Sequence, residues 1–304
     1  MHKIISLIVL VIFLNGCGGG GGSSPSQLTP TPVQENKSPE TLDPNTDIFI
    51  PKETFETPEY RNQWGLDFIN ASDAYSYGAS GKGVVVGVVD EALDWGHHEF
   101  LKENILHPDS ILMYSGNREP TPLEKFHGTA TSSIIAGRKD NEPVDRNMHG
   151  VAYDAQILFI AIELGSPPSD GEYEPIDIPA FSWERFDEQE SKFYEELSSK
   201  SDVINNSFGF TGQITDYSRE TLQNTFPKLI NTFASQQETI FVWSAGNYNG
   251  ITDTEGEQVN AANPGILAGL GYYFPELAKN NVAVVAVDQE GEIADFSNRC
   301  GVAA

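Results

Sequence analysis

Five short apolar runs lie along the chain from about residue 60 onward, with helical patterning between them. The runs are rich in β-branched residues and cover residues 84–89, 157–162, 203–204, 240–243 and 282–287. Continuous apolar runs are typical of strands buried on both faces, as in parallel sheets. Helical patterning covers residues 128–136, 187–200 and 219–237. This alternation predicts an α/β fold with three layers and a doubly wound, mostly parallel sheet.

Polar residues follow three of the predicted strands. Asp90 comes directly after the first run, Ser207 follows the third run, and Asn247 follows the fourth. In doubly wound sheets, functional residues lie just beyond the carboxyl ends of the strands. The sequence therefore predicts that these three side chains lie along one edge of the sheet.

The first 17 residues have the organisation of a bacterial export signal. A basic start containing Lys3 precedes an apolar run over residues 4–14, which is too short for a comfortable membrane span. The run ends in Leu-Asn-Gly-Cys, which resembles a lipobox and makes Cys17 the predicted lipidation site. We therefore expect an exported protein that is lipid-anchored at the bacterial outer membrane or cell surface. An ordinary signal peptide with a chance cysteine is the alternative.

Residues 18–58 are predicted to be a flexible linker. They begin with a Gly/Ser stretch and continue with a segment rich in Pro, Thr, Glu and Asn that lacks sustained apolar periodicity. The remaining residues, 59–304, are predicted to form the globular domain. After the export signal, no apolar run is long enough for a transmembrane helix.

The charge balance limits the classes of partner. The formal net charge of −26 disfavours nucleic acid, because phosphate contacts require Lys and Arg. No cofactor is predicted: the His-Glu-x-x-His pattern of zinc peptidases is absent. A structural calcium ion would suit the many carboxylates, but no EF-hand loop places one. If Cys17 carries lipid, Cys300 is unpaired, and a partner beyond Ala304 is the expectation.

Four segments resemble, in order, the motifs of subtilisin-like serine proteases, the peptidase S8 family. Their sequences are Val-Asp-Glu-Ala-Leu-Asp at 89–94, His-Gly-Thr at 127–129, Val-Ile-Asn-Asn-Ser-Phe-Gly at 203–209 and Ser-Ala-Gly-Asn at 244–247. Glu91 and Ala92 depart from the family's aspartate motif. The closing segment, residues 294–304, resembles the autotransporter branch of the family, in which a similar stretch precedes the nucleophile.

The resemblance implies a role for each of these residues. His127 would act as general base and then acid, and Asp90 would hold the imidazole in the correct tautomer. Asn247 would stabilise the oxyanion of the tetrahedral intermediate. Ser207, Phe208 and Gly209 would line the cleft and pair with an extended protein or peptide substrate. The implied activity is that of a serine endopeptidase.

The family's nucleophile, in Gly-Thr-Ser-x-Ala-x-Pro, has no counterpart in the chain. Ser297, in Phe-Ser-Asn, is the only serine after Asn247. We therefore expect the peptidase fold to be incomplete at its C-terminal end, with the serine beyond Ala304 and these 304 residues inactive alone. The alternative is a non-catalytic surface-binding protein on a degenerate subtilisin fold. A cytosolic α/β enzyme is disfavoured by the export signal and by the absence of a glycine-rich phosphate loop.

Overall fold

The computed structural model describes residues 50–94, 96–106, 122–140, 148–161, 182–210, 212–252 and 256–301. A parallel six-stranded sheet forms its centre. The strands are β1 (Val85–Asp90), β2 (Ile105–Leu106), β3 (Gln156–Ala161), β4 (Val203–Asn206), β5 (Ile240–Ser244) and β6 (Asn281–Val284). Their spatial order is β2-β3-β1-β4-β5-β6. The helices are α1 (Pro58–Arg61), α2 (Trp64–Phe68), α3 (Ala71–Ser76), α4 (Pro122–Ala136), α5 (Trp183–Ser198), α6 (Arg219–Thr225) and α7 (Pro227–Ser235).

The prediction of a doubly wound parallel sheet is confirmed. Successive residues of a strand point to opposite faces, and the apolar side chains of β1 and β3 divide between two cores accordingly. Val88 and Phe159 belong to the core that includes Ala136 of α4. Val89 and Ile160 belong to the opposite core, which α5 and α7 cover. Both faces of the central strands are therefore buried, which explains why their sequences lack a polar alternation.

The helices differ from their predicted bounds for local reasons. The segment 219–237 forms two helices instead of one, because Pro227 cannot donate a backbone hydrogen bond and therefore begins α7. The helix predicted over 187–200 begins earlier, where the Ser182 side chain caps it by accepting a hydrogen bond from the Arg185 backbone N–H. The two-residue strand β2 was not predicted, since so short an edge strand leaves no periodic pattern.

Packed structure begins near Ile50, before the predicted domain start at residue 59. The Phe55 ring contacts Tyr75 of α3 with a centroid distance of 5.7 Å, and Lys52 forms an ion pair with Asp73 at 3.2 Å. The end of the predicted linker therefore packs on the domain. Residues 1–49, including Cys17, lie outside the described residues. Among the residues that the structure describes, none of the helices has the length and apolar character that crossing a bilayer requires.

The described residues cover only half of one face of the sheet. Val86 of β1 lies under α4 and pairs with Val203, which pairs in turn with Ile240 of β5. Residues paired in this way share a face, so the surface under α4 continues across β5 and β6. There Ile240, Val282 and Val284 have 45%, 44% and 50% of their surface exposed. We call these three residues the uncovered strip.

Candidate active site

The structure brings Asp90 and His127 into direct contact at the carboxyl edge of the sheet. Asp90 ends β1 and is 1% exposed, and His127 lies on α4. The His127 Nδ1 lies 2.6 Å from the Asp90 Oδ1, which also accepts a hydrogen bond of 2.7 Å from the Glu91 N–H. An Nδ1–H bonded to a carboxylate leaves Nε2 as the nitrogen that exchanges protons with a substrate. This arrangement is that of a general base with an orienting carboxylate.

The two residues after His127 explain how α4 comes so close to β1. A Cβ at Gly128 would overlap the Ala92 carbonyl oxygen and would lie 2.7 Å from the Phe159 ring, so only glycine fits there. The Thr129 Oγ1 accepts a hydrogen bond of 2.8 Å from the Asp94 N–H. The sequence suggested that the helix begins at His127. The structure instead places His127 within the helix, because α4 starts at Pro122. Gly128 and Thr129 thus tie the helix to the loop that follows Asp90.

The surroundings of His127 act on its pKa in opposite directions. Burial lowers the pKa, whereas the hydrogen bond to Asp90, the charge of Asp90 and the charge of Glu91 raise it. The contributions that raise the pKa together exceed the effect of burial, so the pKa of His127 lies above the ordinary value of 6.5. The imidazolium is therefore stabilised, as a base that takes up a proton during catalysis requires.

Asn247 and the segment from Ser207 to Gly209 meet in one open cleft. The cleft is lined by Ser207, Phe208, Gly209, Phe210, Ser244, Ala245, Gly246, Asn247, Tyr248, Gly265, Ile266, Leu267 and Ala268. Its walls come from the segments that follow β4 and β5, which are neighbours in the sheet. Because β4 also pairs with β1, the cleft and the Asp90–His127 pair lie along the same edge.

The many Gly, Pro and acidic residues in 251–270 predict a surface loop or insertion, placed by its position beside the cleft. Sequence reasoning did not single out Gly265, Ile266, Leu267 and Ala268 as lining residues. Three of them, Ile266, Leu267 and Ala268, are instead buried against the core. Only the general position of the segment, downstream of the motif that contains Asn247, hinted at a place beside the cleft.

Ser297 is not placed to act as a nucleophile. It is 1% exposed, and its hydroxyl donates to the Asn298 carbonyl at 2.9 Å and accepts from the Ala286 N–H at 3.1 Å. Both hydrogen bonds are structural. Within the described residues Cys300 forms no disulfide, and burial raises the pKa of its thiol. Among the described residues, no group of three or more His, Cys, Asp and Glu side chains could hold a metal ion, and calcium stays unplaced.

The chain belongs to the subtilase family of serine peptidases. The sequence model of that family, Peptidase S8, matches residues 81–303. An extracellular serine protease of Serratia marcescens is 26% identical over 82% of this chain. Serotype-specific antigen 1 of Mannheimia haemolytica is 26% identical over 77% of it. The alignments cover 24% and 30% of these two relatives, so the chain spans between a quarter and a third of their length.

Solved structures support the same fold. The serine protease of Aeromonas sobria, also solved in complex with a chaperone, superposes with a TM-score of 0.53 at 22% identity. This match covers 79% of the chain and 41% of that protein. MycP1, a serine protease of a type VII secretion system, gives a TM-score of 0.51 at 18% identity, covering 86% of the chain and 66% of that protein.

Proposed function

We propose that the protein is a serine endopeptidase in which His127 is the general base, Asp90 its orienting carboxylate and Asn247 an oxyanion donor. The 2.6 Å contact between the Asp90 Oδ1 and the His127 Nδ1 carries the proposal. A buried carboxylate on one ring nitrogen prepares the other to take the proton of a hydroxyl nucleophile. Asn247 then supplies an amide donor where negative charge develops on the substrate oxygen.

The nucleophilic serine is proposed to lie in a segment that follows Ala304. The uncovered strip supports this, because apolar residues on a sheet face are normally buried by a further helix or strand. A helix laid beside α4 and parallel to it would cover Ile240, Val282 and Val284 and would bring its N-terminal end to the edge that holds His127. The alignment covers only 24% of the Serratia marcescens protease, which also favours a longer protein.

The substrate is proposed to be an extended peptide with an apolar side chain next to the cleaved bond. None of the described residues that line the cleft is charged, and Phe208, Phe210, Tyr248, Ile266 and Leu267 are among them. Burying an unpaired Lys, Arg, Asp or Glu side chain in such a cleft costs several kcal/mol by order of magnitude. Peptides with Phe or Leu at that position should therefore be cut in preference to peptides with Arg or Glu.

The test uses the reading frame continued beyond Ala304 and a set of fluorogenic peptides. We expect hydrolysis that His127→Ala abolishes and that Asn247→Ala slows by about 10²–10³, the loss measured for the equivalent donor of a subtilisin. His98→Gln is the matched control, because the His98 side chain is 73% exposed and contacts Glu99 and the His97 ring rather than Asp90 or His127. It should leave the rate unchanged.

A second arm tests the chain of 304 residues alone. It should not react with a fluorophosphonate serine probe, because the nucleophile is proposed to lie outside it. Stoichiometric labelling of one serine would contradict the proposed location of the nucleophile. A longer frame that binds peptides but never cuts them would instead favour the binding protein on a degenerate fold.

Export with a lipid anchor at Cys17 is a further part of the proposal. The motif around Cys17 and the extracellular location in the name of the Serratia marcescens relative support it. We expect labelled palmitate to be incorporated into the wild-type protein but not into Cys17→Ser. Labelling that persists in the variant would show that the anchor lies elsewhere.

A further inference from the structure

We propose that Asn298 is the positioning residue that fixes Asn247 in the geometry of an oxyanion donor. This inference rests on the proposed function and adds a residue to it. Asn247 lies on the loop after β5, between Gly246 and Tyr248. Asn298 is completely buried and contacts the loop on both sides of Asn247.

Four groups of Asn298 take part in hydrogen bonds around this loop. Its backbone N–H donates to the Gly246 carbonyl at 2.8 Å. Its side-chain Oδ1 accepts from the Tyr248 N–H, also at 2.8 Å. Its Nδ2 donates to the Asn263 carbonyl at 3.2 Å, and its own carbonyl accepts the Ser297 hydroxyl at 2.9 Å. Asn298 therefore fixes Gly246 and Tyr248, the residues before and after Asn247, through its side chain and its backbone.

The position of Gly246 adds a steric argument. Gly246 has a φ of 113°, a conformation that side chains rarely adopt, and a Cβ there would lie 3.0 Å from the Asn298 Nδ2. The Asn298 amide therefore fills the space beside the glycine and prevents the loop from shifting toward it. Loop position matters here, because an oxyanion donor must lie within about 2.7–3.1 Å of the developing charge.

Asparagine suits this place because the loop presents one donor and the neighbouring segment one acceptor. A planar amide serves the buried Tyr248 N–H and the part-buried Asn263 carbonyl at once, whereas an alanine would serve neither. Asn249 extends the same attachment, since its N–H and its Nδ2 donate to the carbonyls of Phe296 and Asp295 at 3.1 and 2.7 Å. The segment 295–298 thus acts as a support for the oxyanion loop.

The kinetic test uses the active longer frame and Asn298→Ala, alone and combined with Asn247→Ala. We expect kcat to fall by about 10-fold or more with KM nearly unchanged, because a small displacement of a catalytic donor costs rate rather than binding. In the Asn247→Ala background the same substitution should change kcat by less than about 2-fold, since its effect passes through Asn247.

Asn280→Ala is the matched control. Asn280 is 3% exposed and its Nδ2 bonds the Gln236 carbonyl at 2.9 Å, but it lies at the amino end of β6, away from the cleft. It should lower stability without lowering kcat. An equal kcat loss for Asn298→Ala in both backgrounds, or no loss in the wild type, would overturn the inference while leaving the proposed function intact. An inactive wild-type frame would overturn both.

A measurement on the 304-residue chain needs no activity. The Tyr248 amide hydrogen should exchange at least about 10-fold faster in Asn298→Ala, because its buried acceptor is removed, whereas Asn280→Ala should not affect it. Unchanged protection of the Tyr248 amide would show that Asn298 does not hold the loop.

Discussion

The proton chemistry of the candidate site depends on the contacts of single residues. Asp90 and Glu91 both favour a charged His127, and the burial of the ring opposes them. Because a general base must be neutral before it acts, activity should rise with pH through a value above 6.5, the ordinary pKa of histidine. The pKa of His127 is accessible by NMR in the 304-residue chain, whether or not that chain is active.

Glu91→Gln should lower the pKa of His127 by removing one of the negative charges that favour the imidazolium. An NMR titration of the imidazole in the chain measures this, and the acid limb of kcat/KM in the longer frame should move to lower pH with it. Glu290→Gln, a change at an exposed glutamate, serves as the control. A His127 titration unchanged by Glu91→Gln would contradict the proposed influence of that charge.

Glu190 is a second titratable group with a shifted pKa, and it has no role in the candidate site. It is completely buried on α5, neither carboxyl oxygen has a hydrogen-bond partner among the described residues, and burial raises its pKa to about 8 from 4.5. Because the pKa is raised, the contribution of Glu190 to the free energy of unfolding is fully present below pH 4.5 and is lost as the pH rises toward 8. The loss amounts to as much as about 1.4 kcal/mol per pH unit.

Glu190→Gln should therefore make the free energy of unfolding less dependent on pH. Urea unfolding at pH 5 and pH 8 measures the difference for both proteins, so that any constant cost of the new amide cancels. We expect the wild type to lose a few kcal/mol more than the variant between these values. Parallel pH curves would show that Glu190 is ionised in the folded state.

At the scale of elements, one carboxylate joins two helices. Phe226, which precedes α7, offers no capping side chain, and Asp187 of α5 takes that place. Asp187 is 2% exposed, and its two oxygens accept from the Lys228 and Leu229 N–H groups at 3.0 and 2.9 Å. A negative charge at a helix N-terminus also interacts favourably with the helix dipole.

Asp187→Ala should lower the free energy of unfolding by about 2–4 kcal/mol, because the buried Leu229 N–H and the part-buried Lys228 N–H lose their acceptors. Chemical denaturation compares it with Glu188→Gln. Glu188 is the next residue along, pairs with Lys228 at the surface and should have little effect when changed. Similar losses for both variants would contradict the capping role.

The sequence predicted the elements whose signals are local. The β-branched runs indicated β1, β3, β4, β5 and β6 with end points correct to within a few residues. It missed the division of α6 from α7 despite Pro227, because the apolar periodicity continues across the proline. It also missed Asp187 and Asn298, since their partners lie 42 and 50 residues away and no pattern in the chain marks such contacts. The contact of Asp90 with His127 was expected from motif resemblance, and their catalytic roles stay predictions.

At the scale of the whole molecule, the uncovered strip is the most unusual feature. Three aliphatic side chains that are each nearly half exposed on adjacent strands form a surface that favours association. If a further segment of the protein covers this face, a charge placed there should be tolerated by the 304-residue chain and harmful to the longer frame.

Val284→Lys should accordingly reduce dye binding and self-association of the 304-residue chain, measured by ANS fluorescence and analytical ultracentrifugation. In the longer frame it should lower stability and activity, because the lysine would be buried against the covering segment. Ile69→Lys, at a 53% exposed residue near α2, is the matched control and should have neither effect. Full activity of Val284→Lys in the longer frame would show that the strip stays open.

The hydrogen bond between Asp90 and His127 joins residues only 37 positions apart. The cleft, by contrast, needs segments from Ser207 to Asn298. Because a chain leaves the ribosome from its N-terminus, the base and its carboxylate are synthesised well before the segments that line and support the cleft. Under the proposed function, a half-made molecule would therefore hold its base and carboxylate before the cleft that binds a substrate exists.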